Sequence, residues 1–313
     1  MYAYIGRRIL STIPVVAVIA LVVFMMLHVA GGDPAAIIAG DTASADQIEA
    51  VRAKLGLDRP LAEQFMSWAA GILHGDFGIS IFNNVPVGKL IVQRLEPTLM
   101  LTLTVILFAV LIAVPLGTVA AWNAGTWIDR SLMAIAVLAF SLPVFVIAYA
   151  LVFAFGLEWG VLPVQGYRSV SEGFAPFALH MVLPTVSLGL LYTALLARMT
   201  RSSFLEVLNQ DYIRTARAKG LTSGQVLFWH ALKNASVPIV TTIGTGIAIL
   251  IGGVVVTESV FAIPGIGRLT VDALLRHDFP VIQGVLLFFS FFYVFINLAI
   301  DIVYTVLDPR IRY

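Results

Sequence analysis

Long apolar runs, cut by short polar stretches, dominate this chain. A helix needs about 20 predominantly apolar residues to cross the hydrocarbon core of a bilayer. Ile9–Ala30 is the first such run, and Thr98–Ala121, Ser131–Phe155, Ala178–Ala197, Pro238–Thr257 and Gln283–Val306 follow. The pattern predicts an all-α polytopic membrane protein with six transmembrane helices. Pro115, Pro143 and Pro184 lie inside or near the starts of three runs. Proline is tolerated there when neighbouring helices satisfy the freed backbone groups, so these spans are expected to be kinked and packed against protein.

Composition agrees. Of 313 residues, 59% are hydrophobic and 12% charged, against about 45–50% and about 25% in soluble domains. Arg7 and Arg8 ahead of an apolar run resemble a signal peptide or a twin-arginine signal. The run exceeds the ~7–15 apolar residues of a signal peptide, so it reads as a retained span flanked by a basic anchor.

Six spans place both termini on one side. With that side inside, eleven Lys and Arg lie inside and eight outside, and five of the outer eight share one long loop, where the positive-inside rule is weak. Acids divide 5 inside and 13 outside. Both counts favour cytoplasmic N- and C-termini. The net charge of +1 gives no ground for a nucleic-acid partner, and none is expected.

The outer loop Gly31–Pro97 is too long for a bare connector. Ser44 and Gln47 have the spacing of a capping box, with Ile48, Val51 and Leu55 on one face and Gly56 as a stop. Pro60 opens a second short helix whose apolar side is Leu61, Phe65 and Trp68. The loop is either a structural cap or a docking surface for an external partner. The segment 261–284 is also longer than a return turn requires.

Several chemistries lack their residues. There is no cysteine, and the five histidines show no paired ligand spacing, so no metal site is expected. The nearest approach to a nucleotide loop, "VGKL" (87–90), has Leu90 where Ser or Thr is needed and Asn83 where glycine is needed. No ATP site, cofactor or catalytic constellation is expected in the chain. His28 and Glu258 fall near outer span ends and Asp301 near an inner one, leaving no mid-membrane ionisable residue of the kind that coupled transporters use. Ser141, Thr185, Ser187, Tyr192, Thr241 and Thr245 either join helices or line a path for a polar solute. Gly244, Ala248 and Gly252, followed by Gly253, form a small-residue face suited to close helix packing or to a subunit interface.

The segment "DYIRTARAKGLTSGQVLFWHALKNASVP" (211–238) is the exception to this apolar economy. Its pattern predicts one helix from about Phe204 to Lys219, a stop at Gly220, and a second helix from about Ser223. A positive-inside anchor accounts for Arg214, Arg217, Lys219 and Lys233, but not for a helix–Gly–helix element where a tight turn suffices.

"DYIRTARAKGL" resembles the cytoplasmic coupling segment of binding-protein-dependent ABC importer permeases, in the form typical of the dipeptide/oligopeptide group. The family pattern is Glu-Ala-Ala, three residues, then Gly; here Arg214, Thr215 and Ala216 fill the first places and Gly220 the last, a departure the peptide group shares. "YIGRRIL" (4–10), "GGDPA" (31–35), "LGLDRPL" (55–61), "GDFGIS" (75–80), "LPTVSLG" (183–189), "IPGIGRL" (263–269), "DFPVIQG" (278–284) and "LDPRIRY" (307–313) resemble the same family in the same order.

The resemblance implies a type I ABC importer permease fold. Residues 1–93 would supply the first span and a periplasmic loop region, and 94–313 the permease core, with the coupling segment at about 200–237. It implies that Asp211, Tyr212, Arg214, Thr215, Ala216, Arg217, Ala218, Lys219 and Gly220 contact a cytoplasmic ATPase. The implied partners are a second homologous permease, two ATPase subunits that hold ATP and Mg, a periplasmic substrate-binding protein, and membrane lipid. The implied solutes are di- or oligopeptides, with glutathione or a nickel chelate as alternatives. A self-sufficient secondary transporter is the competing class.

Overall fold

The computed structural model describes residues 2–29, 34–39, 43–54 and 56–307. Met1, Leu55 and the stretches 30–33, 40–42 and 308–313 lie outside the described residues, and with them parts of "GGDPA", "LGLDRPL" and "LDPRIRY". The described residues are helical apart from turns, irregular connections such as 159–169, and one isolated bridge, Ile79 with Pro86. The chain divides into two compact units, Met1–Leu95 with Leu269–Leu298, and Glu96–Arg268 with Ala299–Tyr313.

The first unit contains α1 (Tyr2–Val29), α2 (Pro34–Ala39), α3 (Ala45–Lys54) and α4 (Leu61–Leu73). The expected capping box is formed: the Ser44 amide donates to Gln47 Oε1 at 2.9 Å, and the Gln47 amide donates to Ser44 Oγ at 3.4 Å. Pro60 precedes α4 in an extended conformation, φ −54° and ψ 141°. The apolar side of α4 finds a partner in α1, where the Phe24 ring meets Phe65 edge-on at 5.4 Å and Trp68 at 5.6 Å. After the "GDFGIS" turns, buried Ser80 donates to the equally buried Asp278 carboxylate at 2.5 Å, and the Ile81 amide donates to the same group at 3.2 Å. A short-range pattern could not reveal this clamp, because its two halves are 198 residues apart.

Most of the second unit is built from α5 (Val87–Trp122), α6 (Trp127–Ser141), α7 (Val144–Leu151), α8 (Phe174–Leu208), α9 (Asp211–Ala218), α10 (Ser223–Gln225) and α11 (Leu232–Val260). Then come α12 (Ile266–Leu275) and α13 (Phe279–Leu307). One core joins Leu101, Val105 and Ala109 of α5 to Met181, Leu188 and Tyr192 of α8 and Val254 of α11. A second joins Ala113 and Ala121 of α5 to Leu196, Ala197 and Phe204 of α8 and Ala235 and Ile239 of α11. The small residues let backbones approach closely, so α8 is the central strut of this unit.

Among the described residues, Val87–Trp122, Phe174–Leu208 and Phe279–Ile300 are each long and apolar enough to cross a membrane, and two bent pairs raise the number to five if each counts as one span. The apolar stretch of α1, Leu10–Met26, is shorter.

The run Ser131–Phe155 is a broken helix rather than a continuous one. Its two limbs, Trp127–Ser141 and Val144–Glu158, meet at 98°. Leu142 is extended (φ −88°, ψ 132°) and so is Pro143 (φ −59°, ψ 140°). Proline disfavours helical backbone in the residue before it and lacks the N–H the next turn needs. Pro115 and Pro184, by contrast, stay inside the unbroken α5 and α8.

Candidate functional site

The helix expected from Phe204 to Lys219 is two helices. α8 ends at Leu208, Gln210 turns extended (φ −75°, ψ 149°), and α9 starts afresh at Asp211. Two residues of α9 face inward: Ile213, fully buried, and Ala216, 6% exposed. They pack with Val226 and, more loosely, with Val207, Leu208 and Leu221. Ile213 was not among the expected site residues, yet it anchors the element. Ala216 packs its small side chain against its own chain.

Gly220 closes α9. Its amide donates to the Arg217 carbonyl at 2.9 Å, and the Leu221 amide donates to the Ala216 carbonyl at 3.3 Å. This paired pattern needs a left-handed residue between helix and exit, and Gly220 has φ +82° with open space where a Cβ would be. Glycine is required by the backbone there and not by a close neighbour. Thr222 then opens the next helix through a complete capping box with Gln225.

The remaining expected residues, Asp211, Tyr212, Arg214, Thr215, Arg217, Ala218, Lys219 and Gly220, are exposed. Arg214 approaches Asp211 at 3.5 Å, but both side chains are solvated, so the pair contributes little. Arg217 lies over the Trp122 ring at 5.6 Å. Partial burial pushes the Tyr212 phenol up from its ordinary value, against an opposing hydrogen bond with Asn234. The result is a rigidly seated, cation-rich ridge.

The polar residues of the spans divide clearly. Thr185 donates to Thr104 Oγ1 across helices at 2.9 Å, and Tyr192 donates to the Ile243 carbonyl at 2.7 Å. Ser141, Ser187, Thr241 and Thr245 instead donate to carbonyls three or four residues back in their own helices. The glycine face of α11 is also shared out. Gly244 meets Ile300 and Gly253 meets Leu188, whereas a Cβ on Gly252 would meet no described atom within 4 Å; Gly246, not singled out from sequence, takes the Tyr192 ring. The side chains of Ala248, His28 and Asp301 lie outside the described set.

Glu258, read from sequence as a span-end acid, is fully buried. Its carboxylate accepts from Thr98 Oγ1 at 2.6 Å and from the Arg268 amide at 2.9 Å, while Thr98 Oγ1 accepts from the Ile266 amide at 2.8 Å. A Cβ on Gly265 or Gly267 would run into this carboxylate. The "IPGIG" turn is thus folded around an acid, and the sequence signal was the acid itself, six residues before Pro264 of Pro-Gly-x-Gly.

Comparison with known proteins decides what this assembly is. Residues 113–313 match the model of the binding-protein-dependent transport system inner membrane component, and residues 1–102 match the N-terminal model of such membrane components. The chain belongs to that family. It is the membrane-embedded permease component of an ABC importer, located in the inner membrane. The "Probable peptide ABC transporter permease protein y4tP" of Sinorhizobium fredii is 51% identical over 313 residues, covering 100% of both chains. The "Glutathione transport system permease protein GsiC" of Escherichia coli (strain K12) is 42% identical, again covering 100% of both. A solved inward-facing structure of the MetNI methionine ABC transporter matches with TM-score 0.59 at 21% identity, covering 70% of this chain and 97% of that one. It shows that the permease has the ABC importer fold. Permeases of this family work with ATPase subunits.

Proposed function

We propose that this permease translocates di- or oligopeptides delivered by a periplasmic binding protein, by alternating access driven by partner ATPases. It pairs with a second homologous permease, and two cytoplasmic ATPase subunits hold the ATP and Mg. The chain itself performs no catalysis and holds no cofactor. It crosses the inner membrane six times with α1 as the first span, places both termini in the cytoplasm, and divides into a first-span and periplasmic region (1–93) and a permease core (94–313).

One observation carries the reading. α9 is anchored from beneath by Ile213 and Ala216 and offers a ridge of exposed residues, Arg214, Arg217 and Lys219 among them. A lever needs a firm seat and an exposed outer face, and α9 has both. Arg214, Thr215, Ala218 and Lys219 meet the ATPase in this reading. Gly252 lies on an open stretch of α11 that would suit the partner permease, with Gly244 and Gly253 spent on internal packing.

Glutathione is the second reading, supported by the full-length similarity to GsiC. Isolation from native membranes in mild detergent, with the associated chains identified by mass, tests the assembly. A second permease with nucleotide-binding subunits is expected. A lone chain, even after crosslinking in the intact membrane, would overturn the proposal. Uptake of a labelled dipeptide against labelled glutathione then separates the two solutes.

A further inference from the structure

Three contacts meet around the turn that joins α5 to α6. Trp122 closes α5, and its ring carries the guanidinium of Arg217 from α9 at 5.6 Å. Asp129, in the first turn of α6, accepts from the Gly125 amide at 2.9 Å and so holds the turn closed. The same carboxylate receives a two-point bond from Arg201 of α8, Nε to Oδ1 at 2.6 Å and Nη2 to Oδ2 at 2.7 Å. The Asp129 side chain is 5% exposed and that of Arg201 29%. A planar guanidinium engaged at two points fixes orientation as well as distance. A half-buried pair resists being pulled apart, because separation leaves a poorly solvated charge without its partner. The exposed Asp211–Arg214 contact has neither property.

Arg201 lies on the last turns of α8, close before the joint with α9. Ile213 and Ala216 of α9 pack against Val207 and Leu208 of α8, so displacement of α9 is displacement of this end of α8. We infer that the Asp129–Arg201 pair is the strut by which movement of the α8–α9 end carries α6 with it, with Arg217 on Trp122 as a second tether to α5. Asp129 and Arg201 are then positioning residues for transport, acting through α6, whose far end is the 98° bend before Pro143. The inference rests on the reading of α9 as the ATPase contact.

The permease contains no cysteine, so introduced ones are its only thiols, and it is labelled before assembly with its partners. Spin labels at Glu206→Cys on α8 and Leu138→Cys on α6, both exposed positions, measure whether the helices move together in the assembled importer when ATP–Mg is added. With the pair intact the distance distribution should stay narrow and unchanged. With Asp129→Asn it should broaden and shift with ATP, and the stimulation of ATP hydrolysis by the binding protein should fall about fivefold or more, the scale of an allosteric coupling. The exchange Asp129→Arg with Arg201→Asp should recover both in part, because an arginine at position 129 cannot accept from the Gly125 amide. Arg201→Lys, which keeps the charge but loses the fork, should fall between, and it carries the test if Asp129→Asn does not assemble. An unchanged distance and unchanged stimulation in Asp129→Asn or Arg201→Lys would overturn the strut. A separate Thr215→Cys crosslink to the ATPase reports on the contact reading: its absence sinks that reading, whereas its presence beside an unmoved distance sinks only the strut.

Discussion

At the scale of single residues, the buried Glu258 carboxylate is the most demanding group in the second unit. It gathers Thr98 Oγ1 and the Arg268 amide, and Gly265 and Gly267 leave it room. A buried donor that loses its acceptor costs about 1–3 kcal/mol. Glu258→Ala should therefore destabilise the solubilised permease by more than that amount, read as a lowered midpoint of thermal aggregation. Glu258→Gln, which keeps one acceptor oxygen, should lose less. Gly265→Ala should resemble Glu258→Ala, because its methyl group would displace the carboxylate. A Glu258→Ala protein as stable as its parent would remove the structural role assigned here. The sequence displayed this acid only as the end of an apolar run, since its partner Thr98 is 160 residues away and no local period connects them.

At the scale of elements, local signals were legible and joints less so. Ser44–Gln47 and the Gly220 stop follow from rules spanning a few residues, and they stand where the pattern puts them. The joint at Asn209–Gln210 has no proline or glycine to announce it; it follows from the burial of Ile213, whose inward packing requires a change of direction after Leu208. The Pro143 bend was legible as a kink but not in its size. Residues that pair across the fold, Asp129 with Arg201 and Trp122 with Arg217, carry no sequence period at all. The structure of α9 permits a clean separation of strain from contact. At φ +82°, Gly220→Ala carries the left-handed penalty of about 1–2 kcal/mol and should loosen the end of α9. Ala218→Trp adds bulk on an exposed, strain-free position. It should leave expression and membrane insertion intact, keep basal ATP hydrolysis in the assembled importer, and depress peptide uptake. Uptake at the level of the parent would mean that this side of α9 meets nothing.

At the scale of the whole molecule, the proposed six crossings depend on α1. Among the described residues, five spans follow from length and composition once each bent pair counts as one, and the apolar part of α1, Leu10–Met26, falls short of the usual length. A short span is tolerated where the bilayer thins or flanking residues reach the interface. With α1 as a span, Gly6 and Asp58 lie on opposite sides; with α1 on the surface, they lie on the same side. Single cysteines separate these cases, because the chain has none of its own. In cells with a permeabilised outer membrane, Asp58→Cys should react with an impermeant maleimide. Gly6→Cys and Asn209→Cys should react only after the inner membrane is opened. Labelling of both Gly6→Cys and Asp58→Cys in closed cells would make α1 a surface helix and the permease five-spanning. Labelling of Asn209→Cys in closed cells would invert the orientation and put α9 out of reach of any cytoplasmic ATPase.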